Sequence, residues 1–525
     1  MSMTEAVRRL SAVLALALLL SGCEAAPAPE TPAPTPSPTP TATLTPQPVQ
    51  AAPPFTLPYY PGASLHPIAG DNQTNLVLLP LIYEPLFTLD QSFAASPALC
   101  AVSSISEDGL TWTLSVSPGH TFSDGTPVTP GDVAASLIQA LRPGSRFEAR
   151  LAGIRSVREQ DGLVQLQLTA PNGALDALLD VPVFREAEGA VLGSGPYALQ
   201  QKGEDLFLAK NPFWTGRLPF DEAILAAVTE TDTLIQGFDR QDISLVSTDP
   251  TGSSSLNFSG AFDVWEYPTS VMLYLGFNAK AGLCRDAALR QAFSRCIDRD
   301  AVAASLLSRH AVAADLPVSP YSALYSPEAA ALTSYDLQAA QTLLEEAGCT
   351  LNEGVLYWRR SPVSLRLIVN SDNSFKNAVA DYVAECLNKT GAQVTVEVLP
   401  WDGYSAALAA GNFDLYLGEV RMTADFDLSP FLERNGALNF GGYSNEDTSA
   451  LLSAYRAARG PERTAAASLF YQQLSTEAPL TALCFKTCHM LTHWGMLEGA
   501  APTQQNVFDR LEEWTYAPSG QKQEE

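Results

Sequence analysis

Residues 271–277, VMLYLGF, form an apolar run with no polar alternation, the pattern of a short strand buried on both faces. A loop follows. Leu289, Ala292, Phe293, Cys296 and Ile297 then fall at i, i+3, i+4, i+7 and i+8, one apolar stripe along a helix. Arg290, Gln291, Ser294 and Arg295 take the other face of that helix. Asp298 is placed to cap a second helix that carries Val302 and Leu306. The spacing therefore predicts a strand–helix–helix unit in a core. Earlier in the chain, Leu110, Trp112, Leu114 and Val116 alternate with polar residues, which predicts a half-exposed strand. Asp108-Gly109 turns the chain before it and Asp124-Gly125 after it. Thr129-Pro130-Gly131-Asp132 opens a helix with proline in its first turn. Further on, 363–370 reads as an apolar strand, 375–390 as a helix and 393–399 as a strand. Residues 413–420 read as a buried strand that breaks into a charged loop.

The N-terminus has a different pattern. Arg8 and Arg9 precede an apolar run from Leu10 to Leu20, long enough for the core of a secretory leader and too short to span a bilayer. The run ends in Leu20-Ser21-Gly22-Cys23, which resembles a bacterial lipobox; a plain secretory leader followed by a chance cysteine is the alternative. On the lipobox reading, residues 1–22 are removed and Cys23 becomes the lipidated first residue, its acyl chains contributing roughly 0.8 kcal/mol per buried CH₂ to anchoring. Residues 24–54 alternate Pro with Thr, Ser and Ala and hold almost nothing to bury. Such a tether is extended at about 3.1 Å per residue, so roughly 30 residues would hold the body on the order of 90 Å from the membrane.

Composition sharpens the picture. The 525 residues carry 57 acidic against 31 basic side chains, a formal charge of -26, and 46% are hydrophobic. A chain of this length can bury two or three substantial cores. No basic cluster offers a phosphate-binding surface, so nucleic acid is excluded as a partner. Seven cysteines follow Cys23, at 100, 284, 296, 349, 386, 484 and 488, an odd number with no dense disulfide spacing.

Several stretches resemble one family in chain order. The segment 106–133, SEDGLTWTLSVSPGHTFSDGTPVTPGDV, is similar to a "SEDGLTWTF" strand leading into "FSDGTPVTAEDV". Gly193-Ser194-Gly195-Pro196-Tyr197 resembles "GTGPY", and Asn211-Pro212-Phe213-Trp214 resembles "NPDYW". "FN…LRQAF…IDRDAV" within 277–302, Tyr335-Asp336 to Glu346-Ala347-Gly348, and Gly411-Asn412-Phe413-Asp414 continue the series. Together they cover roughly residues 55–500 and resemble the extracytoplasmic solute-binding proteins of family 5, which serve peptide- and nickel-type ABC importers. The resemblance implies an α/β, periplasmic-binding-protein-like type II fold: two discontinuous lobes, an extra inserted subdomain, and a cleft between the lobes. It places lobe I at 55–82, 190–270 and 478–525, the inserted subdomain at 83–189, and lobe II at 271–477, with crossings near 270 and 477.

The sharpest candidate for chemistry is 417–432, LGEVRMTADFDLSPFL, where Asp425 and Asp427 stand near Arg421. On the residues alone these are strand-end loop charges, paired or solvated. The resemblance gives them a role. Ala424-Asp425-Phe426 matches an "ADY"-like element whose Asp pairs with the ligand's α-amino group in oligopeptide- and dipeptide-binding relatives. It implies that Asp425 binds a ligand ammonium and that the backbone of Arg421, Met422 and Thr423 pairs with an extended peptide as an added strand. Relatives often carry Trp where Met422 stands, so the adjoining pocket departs from the family pattern. Arg421 is left with two readings, a partner for a ligand carboxylate or a neutraliser of Asp425 or Glu419. The segment 61–67, with Ala63, is implied as the opposite wall of the cleft; His66 stands where relatives carry Asp or Asn and is read as structural.

Other motifs carry less. Cys484-x₃-Cys488-His489, with His493 beyond, has the spacing of a shared helical face and suggests a metal site, but the surrounding residues are apolar and buried core cysteines fit better. Ser371-Asp372-Asn373 is similar to the S-D-N element of penicillin-binding enzymes, yet the chain's S-x-x-K is Ser519 to Lys522 in a polar tail and K-T-G is absent. There is no phosphate loop G-x-x-x-x-G-K-[ST] and no H-E-x-x-H. The expectation is therefore a monomeric, lipid-anchored substrate-binding protein of an ABC importer on the outer face of a bacterial plasma membrane, of the Gram-positive cell-surface type. It would take short peptides, pass them to a permease with its ATPase, and need no cofactor, metal or enzymatic activity. The alternatives are the same fold binding a nickel chelate or other solute, or a surface receptor that senses peptides without transport.

Overall fold

The computed structural model describes residues 54–517 apart from 188, 254 and 255; the leader, Cys23 and the tether lie outside the described residues. The body begins with Phe55–Tyr59 (β1) and helix Gln73–Ile82 (α1), whose cap residue Asn72 accepts from the Asn75 amide. The chain then builds a separate sheet from Cys100–Ile105 (β2), Thr111–Val116 (β3), Ile154–Gln160 (β4) and Leu163–Leu168 (β5), in the order β2-β3-β5-β4. In β3 the predicted alternation holds, with Trp112 and Leu114 buried. Helix Pro130–Ala140 (α2) packs on this sheet and opens with a capping box between Thr129 and Asp132. Tyr197–Lys202 (β6), Asp205–Lys210 (β7) and Glu222–Ala227 (β8) return the chain to β1, giving the order β1-β8-β7-β6 with β1 parallel to β8. One apolar core joins both sheets, running from Leu57 and Leu81 through Trp112 and Val164 to Trp514.

A larger sheet carries the rest. Leu245–Thr248 (β9) leads to the long strand Phe262–Phe277 (β10) and helix Ala287–Arg295 (α3). Ala311–Ala313 (β11), helix Leu337–Glu346 (α4), Ser364–Asn370 (β12), helix Ser374–Asn388 (α5), Gln393–Leu399 (β13), helix Trp401–Ala410 (α6) and Leu415–Arg421 (β14) follow. Helices Glu446–Ala457 (α7) and Gly460–Glu477 (α8) precede the last long strand, Leu480–His493 (β15). The order is β9-β15-β10-β14-β12-β13, with β11 also on β15. The second half of β10 is buried on both faces, as its unbroken apolar run predicts. Leu273, Leu275 and Phe277 enter one core with α3 and α5, and Met272 and Tyr274 enter another with α7 and α8 residues. Mixed helices and sheets in two bodies joined by long strands make the two-lobed α/β type II binding-protein architecture that the sequence implies.

The strands β10 and β15 connect the lobes. Residues 262–268 of β10 pair with 493–487 of β15 on one side, and 272–276 pair with 485–480 on the other, with register shifts between Pro268 and Met272 and between Leu273 and Tyr274. Bulges of this kind bend a strand without ending it.

Helix α3 departs from expectation on one face. Leu289, Ala292 and Phe293 are buried as predicted, and so are Arg290 and Ser294, which were assigned to the polar face. The reason is long-range. The Arg290 guanidinium donates to the carbonyls of Glu477 (2.6 Å) and Ala478 (3.0 Å) at the end of α8, satisfying acceptors that a helix C-terminus leaves open. Asp298 caps the next helical turn by accepting from the Ala301 amide, as predicted. Cys484 and Cys488 lie on a strand instead of the helix their spacing suggested, so the two thiols are separated by four residues of extended chain, about 13 Å.

Candidate functional site

A cleft of about 1720 Å³ lies between the lobes. One wall comes from α1, the end of β9 and the C-terminal segment 504–513; the other comes from 420–424, Phe431 and Leu438. Its floor is the joining strands, with Tyr267, Thr269 and Val271 on β10 and Lys486 and Cys488 on β15.

The second wall is set by backbone pairing. The Met422 amide donates to Ser270 O at 2.8 Å, and Ser270 Oγ donates back to Met422 O at 2.6 Å. Successive residues of a strand turn their N–H and C=O groups to opposite edges. The main-chain groups of Glu419 and Arg421 therefore point away from β10. On that edge β12 pairs only with Leu415 and Tyr416, and Tyr404 Oη donates to Leu417 O at 2.7 Å. Among the described residues no strand covers the edge beyond. Here a main-chain edge stands beside the cleft.

The floor holds a charged cluster. Lys486 is 3% exposed, with its Nζ 2.6 Å from Asp249 Oδ2 and 3.5 Å from Glu419 Oε2. Burial works against the ammonium, but Glu419 and Asp249 outweigh it and raise its pKa above the ordinary lysine value. Asp249 follows β9 and Glu419 lies on β14, so this lysine answers carboxylates from two separate strands. Elsewhere on the lining, Glu84 meets His120 Nδ1 at 3.1 Å, and its hydrogen bond raises the His120 pKa against the effect of burial.

The expected site residues divide. Arg421, Met422 and Thr423 line the cleft; Asp425 and Ala63 are not among its lining residues. The Asp425 side chain is buried at 3% exposure. Its Oδ1 accepts from Thr423 Oγ1 at 2.6 Å and from the Asp427 amide at 3.3 Å, and its Oδ2 from Asn172 Nδ2 at 3.2 Å. Its carbonyl takes Tyr455 Oη at 2.7 Å and Arg463 at 2.8 Å. Burial, reinforced by Asp427, pushes the Asp425 carboxyl above the usual carboxylate range, while Thr423, Arg463 and Asn172 pull it down. Arg421 pairs with neither candidate carboxylate: Glu419 is held by Lys486, and the charged neighbours of Asp425 are Asp427 and Arg463. The Ala63 carbonyl accepts from the buried Asn75 side chain at 3.1 Å. His66 Nδ1 accepts from the Ile68 amide at 3.1 Å and the Ala69 amide at 3.2 Å, the structural part expected of it.

Sequence reasoning passed over Lys486, Asp249 and Asn172. For Lys486 a signal was available, since it is the one charged group in the apolar run 480–488 and a buried strand does not carry a lysine without partners. His489 lies beside His310, ring centroids 4.8 Å apart, and burial together with His310 lowers its pKa. No group of three or more His, Cys, Asp or Glu side chains among the described residues is arranged to hold a metal ion.

Comparison with known proteins adds to this geometry. The family model described as bacterial extracellular solute-binding proteins, family 5, middle region, matches residues 94–438. The oligopeptide-binding protein AppA of Bacillus subtilis is 22% identical over 472 residues, covering 83% of this chain and 86% of that protein. Among solved structures, the periplasmic murein tripeptide-binding protein MppA in its unliganded open form superposes with a TM-score of 0.73 at 20% identity, covering 86% of this chain and 95% of that one. NikZ from Campylobacter jejuni, in complex with Ni(L-His), superposes with a TM-score of 0.62 at 18% identity over 88% of this chain and 98% of that one.

Proposed function

The chain belongs to the bacterial extracellular solute-binding proteins of family 5, and from that premise we propose that it captures short extracellular peptides in its interlobe cleft and delivers them to the membrane permease of an ABC importer. The observation that carries the peptide reading is the cleft. At about 1720 Å³ it exceeds the roughly 300–1,000 Å³ of ordinary small-molecule pockets and has room for an extended chain. The main-chain edge at Glu419 and Arg421, continued by Thr423, whose carbonyl already accepts from the Phe426 amide at 2.9 Å, would add such a chain as a strand, taking its backbone and leaving its side chains loosely specified. Met422 would shape the adjoining side-chain pocket.

Asp425 is the proposed partner of the ligand ammonium. A carboxylate offers about four acceptor positions, and three are in use here, two on Oδ1 and one on Oδ2. A cation on the remaining Oδ2 position would relieve the burial that raises the Asp425 pKa. Arg421 stands as a secondary contact toward a ligand carboxylate, and Ala63, set behind the lining of the opposite wall, is the proposed secondary contact from that side. The reading divides the body at 55–82, 190–270 and 478–525 for lobe I, 83–189 for its inserted subdomain and 271–477 for lobe II. It is completed by a leader at 1–22, a lipid anchor on Cys23 and the tether through residue 54, holding a monomeric body at the cell surface.

Native mass spectrometry of the soluble body, purified without denaturant, tests the ligand class. A co-purified ladder of short peptides is expected, and a single non-peptide mass would replace the substrate while leaving the fold. Titration of the Asp425→Ala variant with such peptides tests the site, with loss of affinity expected and unchanged affinity refuting the assignment. A nickel chelate or another small solute is the second reading, supported by the likeness to a nickel–histidine-binding structure; it predicts a thermal shift with nickel and histidine and none with peptides.

A further inference from the structure

We infer that residues 171–174, the turn after β5, are a latch that fastens the inserted sheet to the second lobe at a seam on the margin of the ligand cleft, where it shares Asp425 with the ammonium site proposed above. Its parts are backbone groups and one short side chain. Asn172 Oδ1 accepts from the Ala174 amide at 2.9 Å, which fixes the side chain, and Asn172 O accepts from Trp112 Nε1 at 3.1 Å. The free end of the same side chain crosses to the other lobe, Nδ2 donating to Asp425 Oδ2 at 3.2 Å. The next amide crosses as well: Gly173 N donates to Arg456 O at 2.7 Å, at the end of α7. Beyond it Arg459 lies over the Trp112 ring, 5.3 Å from its centroid.

Gly173 shows that the approach is close by construction. A Cβ at this position would overlap the carbonyl oxygen of Ala458 and stand 2.7 Å from Arg459 Cγ and 2.8 Å from Ala457 O. Glycine is needed here for room, because backbone meets backbone across the seam. The receiving side is also built. Tyr455 and Arg463 clamp the Asp425 carbonyl, and Arg463 further donates to Tyr455 O at 2.9 Å, so the acceptor that Asn172 reaches is held in place from behind. None of Trp112, Asn172, Gly173, Asp425, Arg456 or Arg459 lines the cleft. The lobes are joined covalently through β10 and β15, and this seam is a second, non-covalent join that must part before they swing apart there. Asn172 and Gly173 are thus positioning residues for closure. The inference takes the fold as its premise and not the identity of the ligand.

The test is the interlobe distance of the full chain without added solute, read between probes on unnatural amino acids at the exposed positions Val102 and Leu351. Gly173→Ala is expected to lower the ratio of short to long separations by about tenfold or more, and Asn172→Ala, which deletes atoms and introduces no clash, by about three- to tenfold, the range a single hydrogen bond supplies. Gly153→Ala, where a Cβ meets nothing within 4 Å, is the control and should leave the distribution alone. A parent chain that populates only the longer separation, or variants at 172 and 173 that keep the parent's distribution, would overturn the latch. If Gly173→Ala does not fold, Asn172→Ala decides alone. Because no ligand enters the measurement, a failed latch and a failed peptide assignment are told apart.

Discussion

Lys486 Nζ stands 2.6 Å from Asp249 Oδ2, tying the long strand β15 to the residue that follows β9. Removing one member of a fully buried pair costs about 3–5 kcal/mol. Asp249 is 37% exposed, so Lys486→Ala is expected to cost less, on the order of 2 kcal/mol, and to leave Asp249 and Glu419 uncompensated. Urea unfolding at neutral pH reads the loss. The folded lysine has its pKa raised, so its contribution is present below the ordinary lysine value and is lost only as pH rises through the raised one. The difference between parent and variant should therefore hold from neutral to mildly alkaline pH and shrink above about 10.5.

Tyr274 lies directly opposite Gly418 across β10 and β14, and Tyr416 lies directly opposite Gly276. Each ring covers the glycine facing it: a Cβ on Gly418 would meet Tyr274 Cζ at 2.5 Å, and a Cβ on Gly276 would overlap the Tyr416 ring. Gly418→Ala is expected to destabilise by about 1–3 kcal/mol through overpacking. Pairing it with Tyr274→Leu should recover part of that loss in a double-mutant cycle; strict additivity would contradict the contact.

His120 and Glu84 give a signal near neutrality. The His120 pKa is raised first by its hydrogen bond to Glu84. Its stabilisation is full below the ordinary histidine value and disappears as pH rises through the raised one. His120→Gln should therefore lower Tm relative to the parent at pH 5.5 and leave it nearly unchanged at pH 9. With the imidazole 30% exposed, the acid-side effect is expected to be about 0.5 kcal/mol.

Asp425 shifts stability in the same direction, for a different reason and starting at lower pH. Its folded pKa is raised, burial being the largest cause, so the folded chain holds this proton more firmly than the unfolded one. Stability due to Asp425 is then greatest in acid and declines as pH rises through its raised value. Asp425→Asn has no charge to bury, and its Tm relative to the parent should climb between about pH 4 and pH 7. A parent-minus-variant difference that does not change with pH would show that the carboxylate is compensated.

The readable parts of the sequence were those whose signal is local. The strands Ser364–Asn370 and Gln393–Leu399 and the helix Ser374–Asn388 fall within a residue or two of the spans that periodicity predicts, because each is decided by which side chains face a core. The order of family motifs placed the fold. Single charges were harder. Arg290 reads as a polar-face residue and is buried, because the carbonyls it satisfies at Glu477 and Ala478 lie 187 and 188 residues away. Asn172 and Asp425 are 253 residues apart, and neither position announces the other. The motif match located the loop that holds Asp425; it did not show that the carboxylate would take three donors from within the chain. That depends on how two lobes meet, which no window of sequence contains.

The last long strand has a consequence for the order in which the protein can be made. Strand β15 sits between β9 and β10 and is also the partner of β11, so three earlier strands wait for it. During vectorial synthesis those strands emerge with unsatisfied edges while residues 480–493 are still to come. A chain truncated before Leu480 would keep its local helices but could complete neither lobe at the junction. Completion of the joining sheet is thereby deferred to the final stage of synthesis, after the sheets β2-β3-β5-β4 and β1-β8-β7-β6 already have all their strands.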